Sequence, residues 1–317
     1  MEYNIKIEIP KKIKKLTDII KYVIKLKVDN NIQLAFRGEK EDYSSALTPG
    51  IYRNDGYIKN EELIYREMQR FNDNEFINDR TTFDKLSRMQ HYSAPTRLLD
   101  VSEDIMSAIY FAIDGNKNNK EKKDAIIYIF EIDKKNIKYY DSDTVSVISN
   151  IVKMPLTQIS ANRKSKNSLL CDVDKYQNHK KKFNKQKSSK FLRHEIREEK
   201  PQFEAIINPQ DLTSIQCVRP KLTSHRLKSQ KGFFFLFGLN PEKFDKSIEL
   251  INENKLLNDS KINHPIKKIH KLILDFNSIG KIQNDLKRLG ITKPFIYPEI
   301  DKVSEHLKKI YEEKNNG

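Results

Sequence analysis

The stretch RMQHYSAPTRLLDVS, residues 88–102, carries the most informative local pattern in the chain. Pro95 disfavours helix at the residue before it, and the apolar pair at 98–99 is typical of a short buried strand. Ser102 is followed by two acidic residues, a pattern that predicts the N-terminus of a helix. Apolar residues at 105, 108, 109 and 112 would face inward on that helix. A short strand leading directly into a helix is therefore predicted here.

Outward from this stretch, short strands and helices alternate along the chain. Apolar spacing predicts helices over residues 11–28, from 60 to about 71, from 82, from 278 to 290 and over 300–310. Strands are predicted at 32–36, 98–99, 125–132, 203–207, 215–218, 233–237 and 269–274. Interspersed strands and helices predict the α+β class, with a mixed or antiparallel sheet core and flanking helices.

The segment 157–200 differs from the rest because it is rich in Lys, Asn and Ser and poor in apolar clusters. We interpret it as a basic insertion, partly helical or mobile, within one α+β domain over residues 30–317 that follows an N-terminal amphipathic helix at 1–29. Phe183 and Phe191 are the aromatic residues in it that could stack on bases. The lysines that could follow a phosphate backbone are Lys180, Lys181, Lys182, Lys185, Lys187 and Lys190.

The composition restricts the classes of function. The 317 residues include 59 Lys and Arg against 44 Asp and Glu, a formal net charge of +15 that attracts polyanions. The excess Lys, mixed with much Asn and Ile, could equally be a compositional bias without a binding role. Two cysteines and the lack of metal-ligand spacing predict no metal site. Because no long apolar run or secretory signal is present, we expect a cytoplasmic protein without a membrane partner.

Arg37 and Gly38 follow the predicted strand at 32–36. A guanidinium is costly to bury alone, so Arg37 needs either a carboxylate in a salt bridge or the anion of a ligand. The missing Cβ of Gly38 allows another backbone or a ligand to come close. The residues alone leave both alternatives open.

Two further clusters carry polar side chains. Five of these side chains crowd around the Pro95 turn and predict one cleft, although each could instead be an ordinary turn, cap or ion-pair residue: Gln90, His91, Thr96, Arg97 and Asp100. A basic turn at 224–231 then precedes five consecutive apolar residues, 233–237, that predict a buried strand. Gln230 lies just before that strand, where its side chain can project into a neighbouring site.

Together the three clusters resemble the FRG domain family, named after its (Phe/Tyr)-Arg-Gly motif. The residues that carry the resemblance are FRG at 36–38, QHYSAPTRLLD at 90–100 with SAIYFA at 107–112, and RLKSQKGF at 226–233. The tail LKRLGI at 286–291 with YPE at 297–299 is also similar to the family's ending. The resemblance spans about residues 30–310.

The order of these elements is further similar to that of ADP-ribosyltransferases. The resemblance implies that Arg37 holds a phosphate or ribose of NAD, that Ser102 occupies the middle serine position, and that Gln230 occupies the third position, which is normally a glutamate. The residues expected to bind the cofactor are Arg37, Gly38, Gln90, His91, Thr96, Arg97, Ser102, Tyr110 and Arg226. Those expected to act in catalysis are Gln230, Asp100 and Arg37.

An amide at position 230 cannot act as a general base, so Asp100 or Glu204 would have to supply the carboxylate. On this hypothesis the chain is a bacterial toxin or an antiphage defence effector that modifies a nucleic-acid or protein acceptor, or hydrolyses NAD, and that has a neutralising partner. The alternative is a non-catalytic nucleic-acid-binding or sensor module that uses the basic surface.

Overall fold

A single seven-stranded sheet organises the part of the chain that the computed structural model describes, residues 12–115, 122–159, 168–204, 206–223, 225–239 and 264–312. The strands are β1 (Ile32–Glu39), β2 (Leu98–Ser102), β3 (Ala125–Asp133), β4 (Ile137–Tyr139), β5 (Ile215–Arg219), β6 (Gly232–Phe237) and β7 (Ile266–Leu274). Their order is β4-β5-β6-β2-β1-β3-β7, and every neighbouring pair is antiparallel except β4-β5.

Helices flank the sheet. They are α1 (Leu16–Lys25), α2 (Asp55–Lys59), α3 (Glu61–Phe71), α4 (Asp73–Phe76), α5 (Thr82–His91), α6 (Ile105–Ile113), α7 (Asp143–Ser149), α8 (Leu156–Ile159), α9 (Leu169–Tyr176), α10 (Lys180–Phe183), α11 (Lys187–Glu199), α12 (Pro209–Leu212), α13 (His225–Ser229), α14 (Ile279–Arg288), α15 (Lys293–Ile296) and α16 (Ile300–Glu312). Short 3-10 helices cover Gly50–Arg53, Lys134–Asn136, Asn150–Lys153 and Phe276–Ser278. The predicted α+β class, with a mixed sheet and flanking helices, is confirmed.

The helices in the described ranges are all too short or too polar to cross a lipid bilayer.

The prediction of a strand at 203–207 is wrong for the described residues of that range, which are 203, 204, 206 and 207. Phe203 and Ile207 are buried, and their backbone groups find partners outside any sheet. The Phe203 N–H donates to the Lys200 carbonyl oxygen at 2.9 Å. Arg197 Nε donates to the Phe203 carbonyl oxygen at 3.1 Å, and Asn184 pairs with both the N–H and the carbonyl of Ile207. With these hydrogen bonds made, the segment needs no neighbouring strand.

The predicted start of α6 is also corrected. Asp104, rather than Ser102, caps the helix, because its carboxylate accepts hydrogen bonds from the N–H groups of Met106 and Ser107. The Ser102 hydroxyl instead donates to the Gln230 carbonyl oxygen at 2.5 Å and accepts from the Asp104 N–H at 2.8 Å. Ser102 therefore ties the end of β2 to the turn before β6.

The described parts of the lysine-rich segment, residues 157–159 and 168–200, pack into the core. Side chains of α9, α10 and α11 share one apolar cluster with α5 and α7, among them Leu169, Phe183, Leu192 and Ile196. These four are fully buried, and burying such side chains contributes about 1.5–3 kcal/mol each. The helical part of the prediction is confirmed here, whereas residues 160–167 lie outside the described ranges.

Candidate functional site

The sheet opens between its two central strands. β1 and β2 are paired at one position, Phe36 with Ser102, and the two strands form no further backbone pair in the described ranges. Asp100 continues to pair with β6 across from Phe234, so β2 stays attached to β6 and separates from β1. A cavity of about 620 Å³ lies at this opening.

All three sequence clusters contribute to the lining of this cavity. Arg37 and Gly38 come from β1, Asp100 and Ser102 from β2, and Gln230 from the turn before β6. These residues are far apart along the chain, and the adjacency of β1, β2 and β6 in the sheet brings them together. The structure thus places residues of all three clusters around one cavity.

Arg37 bridges the opening. Its Nη1 donates to the Asp100 carbonyl oxygen at 2.7 Å, its Nε donates to the Ala46 carbonyl oxygen at 3.1 Å, and its Nη2 contacts the Glu39 carboxylate at 2.5 Å. Of the two alternatives for Arg37, the salt bridge is thus the one present in the structure. Arg37 fixes β2 relative to β1 and orients Glu39, a second carboxylate in the cavity that the sequence analysis did not single out.

Arg53 is the cation that sequence reasoning missed. It ends the 3-10 helix that follows Pro49 and lines the cavity beside Arg37. Its Nε donates to the Thr48 carbonyl oxygen at 2.9 Å, while its terminal nitrogens make no hydrogen bond or carboxylate pair within the described ranges. Partial desolvation lowers the pKa of Arg53, whose side chain stays exposed to solvent, and the neighbouring Arg37 charge adds to this effect. The only feature of the sequence that could have indicated Arg53 is its position shortly after a Pro-Gly turn.

Asp100 is held by a relay of polar side chains. Gln90 Nε2 donates to the Asp100 carboxylate at 2.5 Å, and the Thr96 hydroxyl donates to Gln90 Oε1 at 2.6 Å. The Leu98 N–H in turn donates to the Thr96 hydroxyl at 3.0 Å. Thr96 is buried behind the cavity, so it positions Gln90 rather than touching a ligand.

A second cavity of about 360 Å³ adjoins the first. The residues that line both include Arg37, Arg53, Asp100 and Gln230, whereas Gln90 and His91 line only the second of the two. The two arginines therefore lie at the junction between the cavities.

The C-terminal segment forms one wall of the site. Gln230 Nε2 donates to the Ile296 carbonyl oxygen at 2.9 Å, and His91 Nε2 lies 3.4 Å from the Glu299 carboxylate. Tyr297 lines the first cavity and makes an edge contact with Phe111. The tail that resembles the family's ending thus closes the site, and the Gln230 amide oxygen is left without a partner among the described residues.

Arg97 was expected in the cleft, and this expectation is wrong. Its side chain is fully buried, with Nη2 2.5 Å from the Glu61 carboxylate and Nη1 donating to the Tyr52 hydroxyl at 2.7 Å and the Gly238 carbonyl oxygen at 3.0 Å. A carboxylate from α3 neutralises the guanidinium inside the protein, so Arg97 supports the fold instead of binding a ligand.

The expectations for Tyr110 and Glu204 are corrected. Tyr110 is buried against Tyr297 and lies outside the cavity lining. A Cβ at Gly38 would lie 1.9 Å from the Ala108 carbonyl oxygen, so the backbone of α6 fills the space of the missing side chain, while Gly38 itself still lines the cavity. Glu204 is exposed and lies in neither cavity lining, so it cannot supply the carboxylate. The Arg226 side chain lies outside the described residues.

Comparison with known proteins identifies one domain. A family model described as the FRG domain matches residues 32–122, which confirms the resemblance over that range. The motifs at 226–233 and 286–299 lie beyond the match. No curated protein and no solved structure matches the chain, so the similarity to ADP-ribosyltransferases stays a prediction.

Proposed function

From the FRG domain at residues 32–122 and the cavity it helps to form, we propose that this protein binds NAD and either transfers its ADP-ribose group or hydrolyses it. The observation that carries the proposal is the meeting of three separate motifs at the opening between β1 and β2, where two arginines and two carboxylates surround one cavity.

The two-cavity shape suits a dinucleotide. Arg37 and Arg53 lie at the junction, where they would neutralise a diphosphate, and Arg53 has free terminal nitrogens for it. One nucleoside would then occupy each cavity. Aromatic side chains of Tyr43, Phe111 and Tyr297 in the larger cavity provide surfaces against which a base or nicotinamide ring can pack.

The carboxylates suit the proposed bond cleavage. The bond between the ribose anomeric carbon and the nicotinamide nitrogen breaks, and nicotinamide leaves with the electron pair. The ribose then carries positive charge, which Asp100 and Glu39 would stabilise. Water or an acceptor nucleophile forms the new bond to that carbon, and its proton passes to the Asp100 carboxylate, which would act as the general base. Gln230 would orient ribose hydroxyls through its free amide oxygen, since an amide cannot take the proton.

Release of nicotinamide from NAD by the purified protein tests the proposal. We expect the wild type to release nicotinamide, and Asp100→Asn and Glu39→Gln to reduce the rate by about 10²-fold or more, as for other preorganised charge stabilisation. Glu305→Gln on exposed α16 is the matched control and should leave the rate unchanged. A wild type that releases no nicotinamide, with or without protein, RNA and DNA acceptors, rejects the proposal.

Removal of NAD or modification of an essential acceptor would suit a bacterial toxin or antiphage effector that is held in check by a neutralising partner. Expression of the wild type in a bacterial host should therefore slow growth, and Asp100→Asn expressed at the same level should not. Equal growth of the two cultures would argue against this biological role.

A further inference from the structure

A basic surface lies apart from the cavity residues, on α10, the first half of α11 and the turn between them. Its lysines, all exposed and none in an ion pair within the described ranges, are Lys180, Lys181, Lys182, Lys185, Lys187 and Lys190. We refer to these six residues as the lysine face. Lysines paired with carboxylates contribute little net field, so six unpaired ones on a short segment concentrate positive charge.

The lysine face is built on an ordered support. Asn184, between the two helices, donates through Nδ2 to the Ile207 carbonyl oxygen at 2.8 Å and accepts from the Ile207 N–H at 3.1 Å. The Ser188 hydroxyl donates to the Asp172 carboxylate of α9 at 2.6 Å. Leu192 and Ile196 on α11 are fully buried. The backbone beneath the lysines is thereby fixed before any partner binds.

The two phenylalanines of this segment pack against the core of the protein. Phe183 is fully buried, and Phe191 is partly buried against the core cluster. Phe183, which the sequence offered for base stacking, therefore cannot stack, and this expectation is corrected. The same burial leaves the face without an exposed apolar anchor of the kind that membrane-surface helices insert into lipid.

We infer that the lysine face binds double-stranded nucleic acid through its phosphates, without contacts to the bases. Charge alone recognises the phosphate backbone, and a duplex presents a denser line of phosphates than a flexible single strand. Proteins that prefer single strands add aromatic stacking of about 1–3 kcal/mol per base, and this surface lacks it. Binding should consequently be independent of sequence.

Fluorescence anisotropy with a labelled duplex of about 20 base pairs and with one of its strands tests this inference, at about 50 and about 200 mM salt. We expect the duplex to bind at least as tightly as the single strand, and two unrelated duplex sequences to bind equally. Affinity should fall steeply with salt. The assay measures duplex binding and uses no substitution at the cavity. Its result is therefore independent of the proposed NAD chemistry.

A triple variant, Lys181→Glu, Lys185→Glu and Lys190→Glu, should weaken duplex binding more than about tenfold. The slope of log affinity against log salt concentration should become shallower by about 0.9 for each phosphate that the protein no longer neutralises. The matched control reverses three other exposed lysines, Lys281, Lys287 and Lys308, with the same change in net charge. Equally weakened binding by both variants would show that only the overall charge of the protein acts. Tighter binding to the single strand, or binding to anionic lipid vesicles but not to duplex, would also overturn the inference.

Discussion

The role of each polar side chain around Pro95, in the cavity or in the core, depends on the direction in which that side chain points. Asp100 projects toward the cavity, whereas Arg97 projects into the core, where its partner Glu61 belongs to α3, 36 residues earlier. A buried guanidinium such as that of Arg97 needs an anion, and Asp100 is a carboxylate only three residues further along the chain. Only the packing of α3 against the loop before β2 selects Glu61, and local spacing carries no information about that contact.

The buried pair predicts a large loss of stability when its carboxylate is removed. Glu61→Gln leaves the Arg97 guanidinium buried without a counter-charge, which should lower the free energy of unfolding by about 3–5 kcal/mol. Glu67→Gln is the control, because its ion pair with Arg70 on the same helix is largely exposed and its loss should change the free energy of unfolding far less. Urea unfolding measures both. Similar values for the two variants would contradict the structural role given to Arg97.

Asp172 predicts a dependence of stability on pH. Burial raises the pKa of Asp172, although its hydrogen bond from Ser188 acts in the opposite direction. The folded chain therefore holds this proton more tightly than the unfolded chain, and stability falls as the pH rises above the ordinary range of an aspartate. Asp172→Asn should be more stable than the wild type near about pH 8, with a smaller difference near about pH 5. A difference that does not depend on pH would contradict this.

At the scale of elements, the close approach of α6 to β1 is what Gly38 makes possible. The sequence predicted the strand, the helix and the need for a missing side chain, but it left open whether a backbone or a ligand would fill the space. The structure places Ala108 and Ala112 of α6 against the glycine. The packing of α6 against β1 fills this space with backbone. Such a contact between distant segments is not visible in any periodicity of the sequence.

Gly38→Ala should therefore force α6 away from β1. The added methyl group would lie 1.9 Å from the Ala108 carbonyl oxygen, and relief of this clash should cost about 1–3 kcal/mol or more of stability. Gly56→Ala in exposed α2 is the control, since its methyl group would contact only the Asn54 side chain and should change stability little. Thermal unfolding of both proteins measures the difference. A stable Gly38→Ala protein would mean that α6 packs less closely than described.

At the scale of the whole molecule, the sequence predicted most strands but could not predict their order. β1, β2 and β6 are central neighbours although long segments separate them, and pairing at such distances depends on the complete fold. The meeting of the three motifs was anticipated through the family resemblance. The opening between β1 and β2 was not anticipated, because two neighbouring strands that do not pair leave no recognisable pattern in the sequence. Arg53 and Glu39 join the site only through that opening.

Calorimetric titration with ADP-ribose, which contains the diphosphate but no scissile nicotinamide bond, measures whether the two adjoining cavities hold a ligand of this kind. We expect binding to the wild type and at least about tenfold weaker binding to Arg53→Ala, because this variant lacks a charge-assisted hydrogen-bonding group at the cavity junction. Arg66→Ala, at an exposed position of α3, should bind like the wild type. A wild type that does not bind ADP-ribose, or an Arg53→Ala protein that binds it equally well, would show that the cavity junction is not a diphosphate site.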